Sequence, residues 1–275
     1  MRSPTVAGIF YPAEKEELHS LLDLLFSQAK ASYIENVKGL IVPHAGYIYS
    51  GHVAASGYRS SILSKTNKFV ILGVDHRDHR IIATSKQDWQ TPLGIAKVDK
   101  PFIEEITKEH AVEIAEDVMK FEHSIEVQLP FLQYLLDDKF TFAPIQLPHL
   151  SFDILEDLSE ILARKDRFYI ASSDFTHYGF AYNYVPENSW DNPLEFVKNL
   201  DMEIINTILE LNPKKFYDLV LERGYTVCGH IPITLLLLIL KRLGVKEGKL
   251  ISYDTSFSAS KDLSAIVGYA SIVFF

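Results

Sequence analysis

Four short runs rich in β-branched and aromatic residues, Gly39-Leu-Ile-Val-Pro43, Lys68-Phe-Val-Ile-Leu-Gly73, Phe140-Thr-Phe-Ala-Pro144 and Arg167-Phe-Tyr-Ile-Ala171, alternate along the chain with stretches of helical periodicity. Near-continuous apolar runs are what strands buried on both faces require, and strands that alternate with helices form parallel βαβ units. The helical partners are visible at Glu14 to Lys30, where Leu18, Leu21, Leu22, Leu25 and Phe26 share a face. A second lies at Phe152 to Leu162, with Ile154, Leu155, Leu158 and Ile161. The pattern predicts an α/β fold with a mostly buried central sheet flanked by helices. The C-terminal run from Leu263 to Phe275, dense in β-branched and aromatic residues, is expected to return to the sheet as a last strand.

Such a sheet needs a large core, and 275 residues with 47% hydrophobic content supply it. No repeat, low-complexity tract or linker divides the chain, and Tyr182 to Pro193 reads as a surface loop, so residues 1–275 are expected to form one domain. The net charge of −9, with no cluster of Lys and Arg, argues against nucleic acid as a partner. The longest apolar run, Leu235 to Leu240, is too short to span a bilayer, and the N-terminal segment is broken by Pro4, Gly8 and Pro12. No membrane partner is expected. The single cysteine, Cys228, cannot close an intrachain disulfide, which makes cytoplasm the expected compartment and leaves the thiol free for metal or redox chemistry.

Three strand-like runs lead into polar residues of ligand type: Leu40-Ile-Val-Pro-His44, Val70-Ile-Leu-Gly-Val-Asp-His76 and Tyr169-Ile-Ala-Ser-Ser-Asp-Phe-Thr-His177. In open α/β sheets the crevice at the carboxyl ends of the strands is where ligands bind. Each histidine alone also fits a hydrogen-bonded structural role, but three at equivalent places point to a site. Cys228 precedes an apolar helical run, where a helix N-terminus favours thiolate, although a buried apolar thiol fits the same position. Asp174 and His177 would share a face if their segment turns helically, so that the carboxylate orients the imidazole; Asp174 as a cap is the alternative. His123 and Glu126, at the same spacing, are candidates for support of the site or for substrate contact, and equally for helix capping. His230 lies two residues from Cys228, and Tyr47 and Tyr49 follow His44 closely; each fits packing or ligand contact. His52, His79 and His149 are read as surface or secondary residues.

The motifs Ala7-Gly-Ile-Phe-Tyr11, Val42-Pro-His-Ala-Gly-Tyr-Ile-Tyr-Ser-Gly51, Ile71-Leu-Gly-Val-Asp-His76, Glu122-His-Ser-Ile-Glu126, Ser172-Ser-Asp-Phe-Thr-His177 and Cys228-Gly229 together resemble the ordered motifs of the Memo family. That resemblance implies a fold like that of the class III extradiol ring-cleaving dioxygenases. It implies His44 and His76 as metal ligands, Cys228 in the place of those enzymes' carboxylate ligand, and His177, oriented by Asp174, as the acid/base group. Two neighbours depart from the family pattern: Arg77 follows His76 where a second histidine is usual, and His230-Ile231 replaces an Arg-His pair. Substrate recognition is therefore not carried over.

Two histidines and a thiolate favour Fe(II) or Cu(I), with Zn(II) also accommodated, and imply a metal-dependent, dioxygenase-like oxidoreductase. The same ligands with an open position would also suit a metal-dependent hydrolase, with His177 as base. A third reading follows animal Memo proteins, which take part in receptor-tyrosine-kinase signalling: a non-catalytic site for a peptide or small molecule. Oligomeric state and substrate are not legible in the sequence.

Overall fold

In a computed structural model of the chain, which describes residues 1–29, 33–61, 66–108 and 111–275, the strands are β1 (Gly39–Val42), β2 (Lys68–Val74), β3 (Ala83–Thr84), β4 (Trp89–Thr91), β5 (Gly94–Val98), β6 (Glu113–Ile114), β7 (Thr141–Leu147), β8 (Phe168–Ser172), β9 (His177–Gly179), β10 (Gly248–Thr255) and β11 (Ala265–Phe274). The helices are α1 (Lys15–Gln28), α2 (Tyr47–Ser61), α3 (Lys100–Ile106), α4 (Glu116–Met119), α5 (Leu129–Leu136), α6 (Phe152–Leu162), α7 (Pro193–Leu209), α8 (Pro213–Arg223), α9 (His230–Leu243) and α10 (Phe257–Ser260). Lys30, at the end of the first expected helix, lies outside the described residues.

The four strands read from the sequence form the centre of a mixed sheet in the order β1, β8, β2, β7, all parallel. Their residues are buried almost without interruption, which explains why the runs are continuously apolar rather than alternating. β11 joins antiparallel beside β1 and β10 beside β11, so the C-terminal run does return to the sheet. Beyond β7 the edge is built from β3 and β6, with the β4–β5 hairpin attached through β5. The result is a single α/β domain with a central mixed sheet.

Side chains alternate across a strand, and β1 shows which helix covers which face. A Cβ on Gly39 would meet Leu236 and Leu240 of α9, whereas Leu40 reaches Gly57 of α2. The sheet is therefore sandwiched, with α2 on one face and α9 on the other. Ile231 to Leu240 of α9 are all buried, so the longest apolar run in the chain is a core helix. Among the described residues no helix is long and apolar enough to cross a membrane. Tyr182 to Pro193 is a loop carrying a 3₁₀ turn at Glu187–Ser189 and ending where α7 begins.

Candidate metal centre

Because β1, β8 and β2 are adjacent and parallel, the residues that follow them come together at one end of the sheet. His44 lies two residues past β1, His76 two past β2, and Asp174 two past β8. A fourth segment crosses this end: the turn from Glu122 to Ile125, running into a 3₁₀ turn at Glu126–Gln128 and then α5. It passes over the end of β2 so closely that a Cβ on Gly73 would lie 2.5 Å from Ile125 Cγ1 and 2.6 Å from Ser124 Oγ. That passage delivers His123. The ligand nitrogens of His44, His76 and His123 lie within 4.8 Å of one another. The His76 and His123 rings stack at 4.7 Å, and both meet His44 edge-on at 5.2 and 5.5 Å.

Hydrogen bonds fix how two of these rings point. Ser172 Oγ gives its proton to the Ser124 carbonyl at 2.6 Å and accepts from Gln128 Nε2 at 2.8 Å. It therefore accepts from His44 Nδ1 at 3.0 Å, which places the proton on Nδ1 and the lone pair on Nε2. His76 Nδ1 donates to both oxygens of Glu122, at 3.1 and 3.2 Å. Such partners on the far nitrogen are what orient imidazoles that bind metals. Burial holds His44 well below the ordinary histidine range, with further lowering from His76 and His123, and burial lowers His123 as well. For His76, burial pulls down, but the hydrogen bond and charge of Glu122 outweigh it and the net shift is upward. Glu122 would be raised by its burial, yet His76 and His123 bring it down to about 2. Two imidazoles held neutral by burial and a third oriented by an ionised carboxylate present nitrogen donors that suit a transition-metal cation, so the donor set fits one.

Cys228 Sγ lies 3.2 Å from His44 Nε2 and accepts from the Asp174 amide at 3.3 Å, but it is not part of the mutually close set that the three histidines form. Its segment packs against the end of β8, where a Cβ on Gly229 would come 2.3 Å from Ser173 Cβ. Cys228 does sit just ahead of α9, whose N-cap is Gly229. Of the two readings of this residue, thiolate and buried thiol, the second agrees with its surroundings: burial, reinforced by the charge of Asp174, pushes the thiol well above its usual range against the hydrogen bonds from the Asp174 amide and Ser173.

Asp174 and His177 are also placed differently from the helical turn expected of them. Residues 173–176 form no helix and lead into β9. Asp174 Oδ1 accepts from the His44 amide at 2.8 Å, while His177 Nδ1 donates to the carbonyls of Phe175 and Thr226 at 2.9 and 3.0 Å. His177 is thus oriented by backbone carbonyls, with Nε2 left as its acceptor, and no hydrogen bond joins it to Asp174 among the described residues. Glu126 binds neither a ligand ring nor the cavity. It pairs with Arg2 at 2.6 Å and accepts from the amides of Thr5 and Val6 and from the Tyr11 hydroxyl, pinning the N-terminal segment. Tyr47 is a core ring whose hydroxyl donates to the Val127 carbonyl at 2.6 Å. His230 turns to His149, ring centroids 5.5 Å apart, rather than to the cluster.

A cavity of about 470 Å³ opens over the cluster, lined by His44, His76, His123, Asp174 and His177 on its floor. Phe10, Tyr49, Tyr182 and Tyr269 stand among its walls. The sequence offers His123 as support for the site or as a substrate contact, not as a ligand, and singles out neither Glu122 nor Ser172, although Glu122-His123 is visible as an adjacent carboxylate–imidazole pair.

The arrangement has known relatives. The family described as Memo-like protein matches residues 2–273. The chain belongs to the Memo family. It is 37% identical to a MEMO1 family protein of Methanosarcina barkeri over 99% of both chains, and 38% identical to one of Pyrococcus abyssi, again over 99% of both. A MEMO1 family protein of Nitrosopumilus maritimus is 35% identical over 100% of this chain and 99% of its own. In this Memo chain the three histidines, Glu122 and Cys228 all fall inside the matched range.

Proposed function

We propose that this Memo protein is a metal-dependent enzyme of oxidoreductase type, acting on a small molecule in the cavity, with His44, His76 and His123 holding the metal. Cys228 is the soft donor held beside His44. The observation that carries the reading is the convergence of three imidazoles within 4.8 Å under a cavity, two of them fixed in orientation by Ser172 and Glu122. Nitrogen and sulfur donors favour Fe(II) or Cu(I) and accommodate Zn(II), and such an ion supplies either redox chemistry or Lewis acidity. His177, with Nδ1 fixed on two carbonyls, is the residue placed to take or give a proton at Nε2. The dioxygenase likeness, the cytoplasmic setting and the absence of nucleic-acid partners belong to this same proposal.

Anaerobic titration with Fe(II), Cu(I) and Zn(II) tests it. One ion per chain is expected in the wild type, with binding lost in His44→Ala, His76→Ala and His123→Ala and only weakened in Cys228→Ser. Retention by all three alanine variants would sink the centre. Oxygen consumption with Fe(II) or Cu(I) selects the oxidoreductase, whereas zinc-dependent turnover without oxygen selects a hydrolase. A second reading, a non-catalytic ligand or peptide site, is favoured by the exposed apolar residue Ile9, which lines the cavity. Ligand binding without any metal requirement or turnover would support it.

A further inference from the structure

Among the described residues, those that line the cavity include two carboxylates, Asp174 and Asp262, and neither a lysine nor an arginine. Sites for phosphates or carboxylates are built on arginine, lysine or free backbone N–H groups at a helix start. Near the start of α2 the His44 amide is taken by Asp174 and the Tyr47 amide by the Phe10 carbonyl. Four aromatic rings, Phe10, Tyr49, Tyr182 and Tyr269, line the same space. Aromatic faces attract cations. Tyr269 is only 2% exposed, and its hydroxyl makes no hydrogen bond among the described residues, whereas Tyr49 is half-buried and Tyr182 exposed. The Tyr269 hydroxyl is not among the buried unpartnered atoms, so it opens on the cavity and is free to meet a polar group of a bound molecule. At the rim, Asp262 Oδ1 accepts from the Ser264 amide and hydroxyl at 2.8 and 2.6 Å, which holds the carboxyl below its usual range. Its Oδ2 has no partner among the described residues.

We propose that the cavity selects a small molecule bearing an organic cation, a protonated amine, whose charged end lies among the tyrosine rings and toward Asp262. Anionic groups are disfavoured at that end of the cavity. The inference deepens the reading of this cavity as the ligand side of the centre, and it names the charge of what enters.

The test titrates phenethylamine, 2-phenylethanol and phenylacetate, which share one ring and differ in charge, into the metal-free full-length chain. Binding is followed by calorimetry and by the imidazole NMR signals of His44 and His177. Phenethylamine is expected to bind about tenfold more tightly than the alcohol, the size of one partly desolvated cation–π contact, with phenylacetate weakest. Asp262→Asn should narrow the amine's advantage, and Asp262→Lys, at an exposed position, should shift the preference toward phenylacetate. Phenylacetate binding as tightly as the amine would overturn the proposal. So would an order unchanged in Asp262→Lys, or no perturbation of the histidine signals by any of the three at millimolar concentration. Because no metal is present, failure here leaves the metal titration standing, and failure of the metal titration leaves this result intact.

Discussion

Two hydrogen bonds from His76 Nδ1 and one from the Ser124 amide converge on the Glu122 carboxylate, which is nearly buried. This one residue orients a ligand ring and anchors the turn that carries His123. Glu122→Gln keeps an acceptor but removes the charge that raises His76, so the His76 titration in the metal-free protein should move downward, as a pH series of its ring NMR signals would show. Metal affinity should fall by about 10- to 100-fold, the usual effect of losing an orienting partner, because poorer orientation outweighs weaker proton competition. An unmoved His76 titration would remove Glu122 from this role. At this scale the sequence pointed to the right segment and the wrong carboxylate. Spacing rules that assume a helix pair residue 123 with 126, whereas the segment is a turn up to Ile125, so the neighbour in sequence acts on the site and Glu126 faces Arg2.

Among the elements, strand placement was the legible part. Buried parallel strands announce themselves as apolar runs, and the histidines just past β1 and β2 follow from that directly. The 122–128 crossing was not legible, because irregular backbone has no periodicity and its position is set by long-range packing onto Gly73. The Cys228-Gly229 segment depends on packing of the same kind. A methyl group on Gly229 would meet the Ser173 side chain and, at 2.8 Å, the Ser172 carbonyl oxygen, which cannot move without disturbing β8. Gly229→Ala should therefore destabilise the chain by about 1–3 kcal/mol, the range typical of overpacking. It should also part Cys228 from His44. Thermal melts together with the accessibility of the thiol to an alkylating reagent check both effects; a melt equal to wild type with an unreactive thiol would contradict the tight fit.

For the molecule as a whole, α7 packs against the C-terminal strands β10 and β11, and Asp201 of α7 is where they meet. Its carboxylate is wholly buried, accepts from the Thr176 amide at 3.0 Å and from the Tyr253 hydroxyl of β10 at 2.7 Å, and lies against Gly268 of β11, where a Cβ could not fit. It thereby ties α7, β10 and β11 to the segment that carries Asp174 and His177. Burial pushes this carboxyl up to about 6, against the hydrogen bonds that lower it. An acid whose pKa is higher folded than unfolded keeps its proton longer in the folded state. Stability from this group is then full below its unfolded value of about 4 and is lost as pH rises through about 6. Asp201→Asn keeps an acceptor for the Thr176 amide and cannot ionise. Relative to wild type, its stability should rise between about pH 4 and 6.5 by a total on the order of 1–3 kcal/mol and stay level above that window. Denaturant melts of both proteins across the range measure the difference. A difference independent of pH would mean that Asp201 titrates in the fold as it does in water, and that the junction of α7 with the sheet is more hydrated than its packing indicates.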